Sequence, residues 1–263
     1  MEKGGKMGLF DGKVVLITGA SSGIGAETAI QFAEDGASLA LVGRNEERLE
    51  NTAKECFGKG LSKDKVLTIK ADVCEEEDVK RIMDVTIHHF GKLDVLVNNA
   101  GGGAPCNLLS EDLMKTFDWT MKLNVRSVLQ LSNLAVPHLI ATKGAIVNVS
   151  SVCGKRVMAN MTVYNMAKAT IDQFTRVTAV ELAPKGVRVN AVNPGTIMTP
   201  IQLAYGMSEE QIRERARKVH PLGRPGESNE VAPVIKFLAS DAASFITGET
   251  LSIDGGRHVL CAR

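Results

Sequence analysis

Lys13-Val-Val-Leu-Ile17, running directly into Thr18-Gly-Ala-Ser-Ser-Gly-Ile-Gly25, is the stretch on which the fold of this chain turns. The apolar run reads as a short strand buried on both faces, and the segment at about 26–34 reads as a helix. Strand, glycine turn and helix in that order put Gly19, Gly23 and Gly25 where a backbone bends sharply and approaches a pyrophosphate. Ser21, Ser22 and Ile24 lie within the same turn, and the positive end of the helix points at the anion. The spacing is Gly-x-x-x-Gly-x-Gly, which meets the generic Gly-x-Gly-x-x-Gly dinucleotide fingerprint only loosely.

Outward from this unit, apolar runs alternate with helical patterns, the signature of repeated βαβ units and a parallel sheet. Strands are expected near 13–18, 38–43, 66–70, 93–98, 144–150, 187–192 and 250–253, and long helices at about 110–141 and 163–183. This predicts an α/β fold: a doubly wound, seven-stranded parallel sheet with helices on both faces. A chain of 263 residues that is 44% hydrophobic suits one domain. That domain is expected over 9–263, after a flexible extension at 1–8. An irregular region at about 194–227, holding the charged helix Ser208-Glu-Glu-Gln-Ile-Arg-Glu-Arg215, is expected to be a mobile lid.

The 31 basic and 30 acidic residues are mixed along the chain and leave a net charge of +1, which argues against nucleic-acid and membrane-surface partners. Neither a signal-peptide core nor an apolar run of about 20 residues is present, so a cytoplasmic location is expected. Cys56, Cys74, Cys106, Cys153 and Cys261 are scattered without clustered histidines, so free thiols and no metal site are expected.

Chemistry is carried by Val163-Tyr-Asn-Met-Ala-Lys168. Residues four apart share a helix face, and an ammonium beside a phenol favours the ionised oxygen, which suits the pair to proton transfer at a carbonyl or alcohol. In open parallel sheets ligands bind beyond the carboxyl ends of the strands. Gly19, Arg44, Asp72, Asn99, Ser151 and Pro194 each follow a predicted strand, so one cleft collects them. The second strand ends in Gly43, where an NAD site usually carries an acid; Arg44-Asn45 follows, and a guanidinium without that acid favours a 2′-phosphate. The cofactor is expected to be NADP(H), with NAD(H) second.

The chain resembles the short-chain dehydrogenase/reductase family. The Thr-Gly-x-x-x-Gly-x-Gly loop, Asn98-Asn-Ala-Gly101, Asn124, Ser151, Tyr-x-x-x-Lys, Asn193-Pro-Gly195 and Asp254-Gly-Gly256 stand in the family's order over 9–256. The resemblance implies that Tyr164 is the general acid or base, with Lys168 assisting it and contacting the nicotinamide ribose. It makes Ser151, rather than its neighbour Ser150, the donor to the substrate oxygen, and Asn124 the holder of a water that links Lys168 to solvent. It also places Asp72-Val73 at the adenine and Asn99-Ala100-Gly101 along the cofactor. In Pro194-Gly195, Ile197 and Thr199 it finds the groups that hold the carboxamide.

Gly102-Gly-Ala-Pro-Cys-Asn107, Gly154-Lys-Arg-Val-Met-Ala-Asn160 and the lid are expected to line the substrate side. The branch most resembled holds 3-oxoacyl-carrier-protein reductases and broad carbonyl reductases. A small-molecule carbonyl or alcohol is therefore the expected substrate. A 3-oxoacyl thioester on an acidic carrier, met by Lys143 and Lys185, is the alternative, and a non-catalytic NADP(H) sensor or scaffold is the alternative of another class. A homodimer or homotetramer is implied by resemblance.

Overall fold

The computed structural model describes residues 8–204 and 206–260. Seven strands, β1 (Val14–Thr18), β2 (Ser38–Gly43), β3 (Val66–Lys70), β4 (Val95–Asn98), β5 (Ala145–Val149), β6 (Arg188–Pro194) and β7 (Thr250–Ile253), form one parallel sheet in the order β3-β2-β1-β4-β5-β6-β7. The order reverses between β1 and β4, which opens a crevice at the carboxyl ends of those two strands.

Both faces of the sheet are covered, which is why its strands read as unbroken apolar runs. Val15 and Ile17 of β1 pack on one side with Phe32 of α1 (Gly23–Glu34), Leu49 of α2 (Glu46–Gly58) and Ile235 of α9 (Ser228–Ala239). Their neighbours Val14 and Leu16 face the other way, toward Ile82 of α3 (Glu76–Phe90) and Leu131 of α5 (Ser127–Thr142). Each such side chain taken from water contributes roughly 1.5–3 kcal/mol. A buried chain of amides fastens α6 (Thr162–Leu182) to the sheet: Asn98 Nδ2 donates to Asn148 Oδ1 at 2.9 Å, and Asn148 Nδ2 to Thr175 Oγ1 at 2.9 Å.

Three expectations are corrected. Helix α1 begins at Gly23, three residues early, because Ser22 is already extended at φ −172°. The helix expected over 110–141 is α4 (Leu113–Met121), a π-turn (Lys122–Arg126) and α5. The wider turn coincides with Asn124, whose amide donates to Thr120 O at 2.8 Å and to Gly102 O in a neighbouring loop at 2.7 Å. The region 194–227 holds more helix than expected, α7 (Pro200–Ala204) and α8 (Glu209–Val219). Ser208 starts α8 with a reciprocal Ser208–Gln211 capping box, and buried Ile212 and Ala216 carry it past Arg215. Residues 1–7 of the expected 1–8 extension, Tyr205 and residues 261–263, Cys261 among them, lie outside the described residues. Among the described residues, no helix is long and apolar enough to cross a membrane, and Cys56, Cys74, Cys106 and Cys153 are free thiols.

Candidate active site

Beyond β1, β2, β3 and β4 lies a cleft of about 600 Å³. Gly19, Ser21, Ser22, Gly23, Ile24, Arg44, Asn45, Asp72, Val73, Asn99, Ala100, Gly101 and Thr199 all line it. The glycine turn is set by backbone geometry: Gly19 and Gly23 sit at φ +67° and +57°, in the left-handed region that side chains rarely adopt. Asn99 clamps this turn, its Nδ2 donating to Thr18 O at 2.8 Å and Gly19 O at 3.2 Å. Gly25 does not line the cleft; a methyl there would meet Gly19 O at 2.3 Å, so this glycine lets helix and turn pack.

At the β2 end, the position of the missing acid is filled from the sides. A methyl on Gly43 would meet Leu49 Cδ2 and Ser21 Oγ at 3.3 Å. Arg44 is 75% exposed and reaches Asp72 only at 3.8 Å. Arg48, which sequence reasoning missed, adds a second guanidinium to the same wall. The signal was available in the helical spacing of Arg44 and Arg48, but Asn45 caps α2 by accepting from Arg48 N at 2.9 Å, and only that cap fixes where the helix starts.

The groups expected to handle the proton adjoin the cleft at Gly101. A methyl there would come within 2.9 Å of Asn124 Oδ1 and 3.3 Å of Lys168 Nζ. Tyr164 and Lys168 leave the first turns of α6 together, with Nζ 5.6 Å from the phenol ring centroid and donating to Val149 O at 3.0 Å. Loop 102–107 covers the tyrosine: a methyl on Gly103 would lie 2.5 Å from Tyr164 Cδ2. Asn124 Oδ1 accepts from Gly102 N at 3.2 Å, which ties the π-turn to this loop.

Ser151 ends β5 as the cap of a short 3-10 turn, its Oγ accepting from Cys153 N at 3.1 Å. That bond uses a lone pair and leaves the hydroxyl proton uncommitted to it. The rival Ser150 donates to Lys168 O at 3.1 Å. Pro194 closes buried β6. Gly195 and Ile197 are not among the residues lining the cleft; Gly195 packs against His220 and Asp254, and Ile197 lines a separate cavity of about 260 Å³. Gln202 of α7 donates to Ile197 O at 3.0 Å.

On the expected substrate side, Cys106 N donates to Asn160 O at 2.9 Å and Thr162 N to Cys106 O at 3.1 Å, joining loop 102–107 to the segment before α6. Arg215 of α8 reaches Met158 Sδ at 2.8 Å, so the 194–227 region touches this rim. Lys143 and Lys185 do not flank the site. They precede β5 and β6, at the opposite edge of the sheet, where Gly186 packs beside Lys143. No cluster of three metal-ligating side chains occurs among the described residues.

Burial pushes the Lys168 ammonium down from its ordinary 10.5 to about 8, opposed by the Asp172 charge and the Cys153 thiol. The folded chain therefore gives up this proton before the unfolded chain does. The cost of holding it is complete below pH 8 and is relieved as pH climbs toward 10.5. Lys168→Met is accordingly expected to raise the unfolding free energy at pH 7, read by urea titration, by up to about 3 kcal/mol less about 1 for the orphaned Val149 carbonyl. The gap to the parent should close toward pH 10.5; a gap independent of pH would show that the ammonium is not penalised.

A nucleotide cleft at the switch point of a parallel sheet, with a Tyr–Lys pair at its inner end, defines a dinucleotide-binding oxidoreductase scaffold. Comparison with known proteins agrees. The profile of the family described as enoyl-(acyl carrier protein) reductase matches residues 19–258. The 3-oxoacyl-[acyl-carrier-protein] reductase of Thermotoga maritima is 40% identical over 94% of this chain and 98% of its own. The glucose 1-dehydrogenase of Gluconobacter oxydans is 39% identical over 94% and 92%. A Caenorhabditis elegans short-chain dehydrogenase/reductase of unknown function, solved with cofactor, superposes with a TM-score of 0.90 at 38% identity, covering 97% of this chain and 98% of that one. The chain belongs to the short-chain dehydrogenase/reductase family of nicotinamide-dependent oxidoreductases.

Proposed function

We propose that this protein is an NADP(H)-dependent oxidoreductase that interconverts a small-molecule carbonyl and its secondary alcohol, with Tyr164 as general acid or base. The observation that carries the proposal is the buried Lys168 ammonium beside the Tyr164 ring, at the inner end of a cleft built for a dinucleotide. The cleft fits that group: its volume lies in the usual range for ligand sites, the amino end of α1 opens onto it, and glycines stand where a Cβ would fill the cradle.

When bound, the nicotinamide supplies or accepts the hydride. In reduction, Tyr164 Oη delivers its proton to the carbonyl oxygen as negative charge develops there, and in oxidation it takes the proton back. Lys168 stabilises the phenolate left behind and meets the nicotinamide ribose. Ser151 Oγ donates its remaining proton to the same substrate oxygen. Asn124 holds the 101–102 turn against Lys168 and keeps an Oδ1 lone pair for the water that links the ammonium to solvent. The 194–227 region is assigned as the lid, on the strength of the Arg215 contact to the substrate rim. Exposed Leu129, Val177 and Val180 on α5 and α6 support pairing of two copies through these helices; a monomer in sedimentation would refute it.

Arg44 and Arg48 at the ribose end, with no acid at Gly43, support NADP(H) over NAD(H). Arg44→Asp is expected to weaken NADPH binding by about tenfold or more, one bidentate charge pair, and to spare NADH. Unchanged affinity for both would remove Arg44 from the site. The decisive assay is NADPH consumption, with NADH in parallel, across an acetoacetyl thioester, a diketone, an aromatic aldehyde and a steroid ketone. Preference for the thioester would favour the acyl-carrier reading, which the Thermotoga relative supports and the placement of Lys143 and Lys185 does not. Tight NADPH binding without turnover of any carbonyl would favour a sensor or scaffold.

A further inference from the structure

Asp172 lies one turn after Lys168 on α6 and is buried, yet none of the chemistry above uses it. Its two carboxylate oxygens accept from Asn193 Nδ2 at 2.9 and 3.0 Å, and the same Nδ2 donates to Ser151 O at 2.9 Å. The single proton of Ser150 Oγ is within reach of both the Lys168 carbonyl and this carboxylate. Gly154, in the turn that follows Ser151, passes so close that a methyl would meet Asp172 Oδ2 at 2.3 Å and Lys168 O at 2.9 Å. One carboxylate thus touches the end of β5, the turn after it, β6 and α6.

We propose that Asp172 is a positioning residue of this centre: through Asn193 it fixes Ser151 against the helix that carries Tyr164 and Lys168, and it supplies the negative charge facing the Lys168 ammonium. A bare apolar contact would anchor the same elements at less cost, since burying a carboxylate is expensive unless its charge is used. The other groups around Asp172 are Lys155 from the turn and Arg176 from α6, both favouring its ionised form, and the Cys153 thiol near Lys168. Burial works the other way and pushes the carboxyl up. In its ionised form this carboxyl is an anion set one helical turn from a cation that burial would otherwise discharge.

This inference rests on the oxidoreductase reading, so its test includes a readout independent of turnover. Asp172→Asn keeps size and shape and removes the charge. The side-chain titration of Lys168, followed by NMR in lysine-labelled protein and assigned with Lys168→Met, is expected to fall by on the order of one pH unit, the usual effect of losing one close opposite charge. Where the panel gives turnover, the alkaline limb of kcat moves down with it, and kcat at pH 8 drops about fivefold with little change in KM or NADPH affinity. Asn193→Ala frees the Ser151 carbonyl without removing a charge, and should lower kcat without moving the Lys168 titration. An unmoved Lys168 midpoint in folded Asp172→Asn overturns the proposal whatever the activity. Should Asp172→Asn fail to fold, Asp172→Glu, which keeps the charge but displaces it, is expected to retain a titration near the parent's while losing kcat; parent-like kcat there would also overturn it. A parent enzyme silent on every carbonyl would refute the oxidoreductase reading and leave the titration to decide this one.

Discussion

Tyr164→Phe is expected to lower kcat by roughly 10²- to 10⁴-fold, the usual contribution of a positioned acid, while NADPH binds as before. The substitution removes one oxygen and leaves the ring. That ring packs under Gly103 and beside the buried Lys168 ammonium, so the phenylalanine variant should keep the fold of the loop and of α6. The cleft should also survive, because its walls come mainly from the turns after β1 to β4, with Leu123 and 199–201, and Tyr164 is not among them. Steady-state kinetics on the best substrate of the panel, with a fluorescence titration of NADPH, separates the two effects. Retention of more than about a tenth of parental kcat would contradict the acid role.

Gly103→Ala is expected to cost about 10²-fold in kcat without removing any group that reacts, the scale expected when a catalytic group is misplaced by about an ångström. The added methyl would sit 2.5, 2.8 and 3.0 Å from Cδ2, Cγ and Cβ of Tyr164, the root of the side chain rather than its tip. Rotation about χ1 would swing Cγ and Cδ2 out of the active position and still leave the 3.0 Å contact with Cβ, so the tyrosine, α6 or the loop must shift. The loop is held on both sides of Gly103. Asn124 bonds both polar atoms of the Gly102 backbone, and Cys106 pairs with Asn160 and Thr162. Some of the strain will appear as lost stability, typically 1–3 kcal/mol for an overpacked site. Kinetics measured well below the melting temperature isolate the positional effect. Parental kcat in this variant would show that the loop yields freely and that Gly103 does not set the tyrosine.

The sheet, the glycine turn and the Tyr–Lys pair were legible because each is written in a few consecutive residues. A buried parallel strand announces itself by an apolar run, and a helix face by a spacing of four. What stayed hidden depends on groups distant in sequence. The π-turn at Lys122–Arg126 answers a bond from Asn124 to Gly102, 22 residues away, and the 110–141 pattern alone is simply helical. The packing of Gly103 on Tyr164 and of Asp172 on Asn193 joins segments whose spacing carries no code. The placement of Lys143 and Lys185 is hidden for a related reason: a lysine beside a strand has chemistry, but whether it precedes or follows the strand decides which end of the sheet it serves. Helix α8 ran past its expected end because Ile212 and Ala216 bury a stripe that charged neighbours obscure.

The strand order has one further consequence. Apart from Leu123 and the short return at Thr199, Pro200 and Ile201, every wall of the nucleotide cleft comes from the chain before residue 102, whereas Asn124, Ser151, Tyr164, Lys168 and Asp172 all follow it. Most of the cleft wall and most of the proposed proton-handling groups thus lie in consecutive blocks, with the return at 199–201 as the exception. Under the proposed assignment such a chain is divisible: exchanging the first block with that of a relative is expected to retune the choice of coenzyme and leave the choice of acceptor to the second. On that assignment diversification would proceed by trading whole segments, with Gly101 as the seam, where the cleft-lining block comes up against Lys168 of the second block.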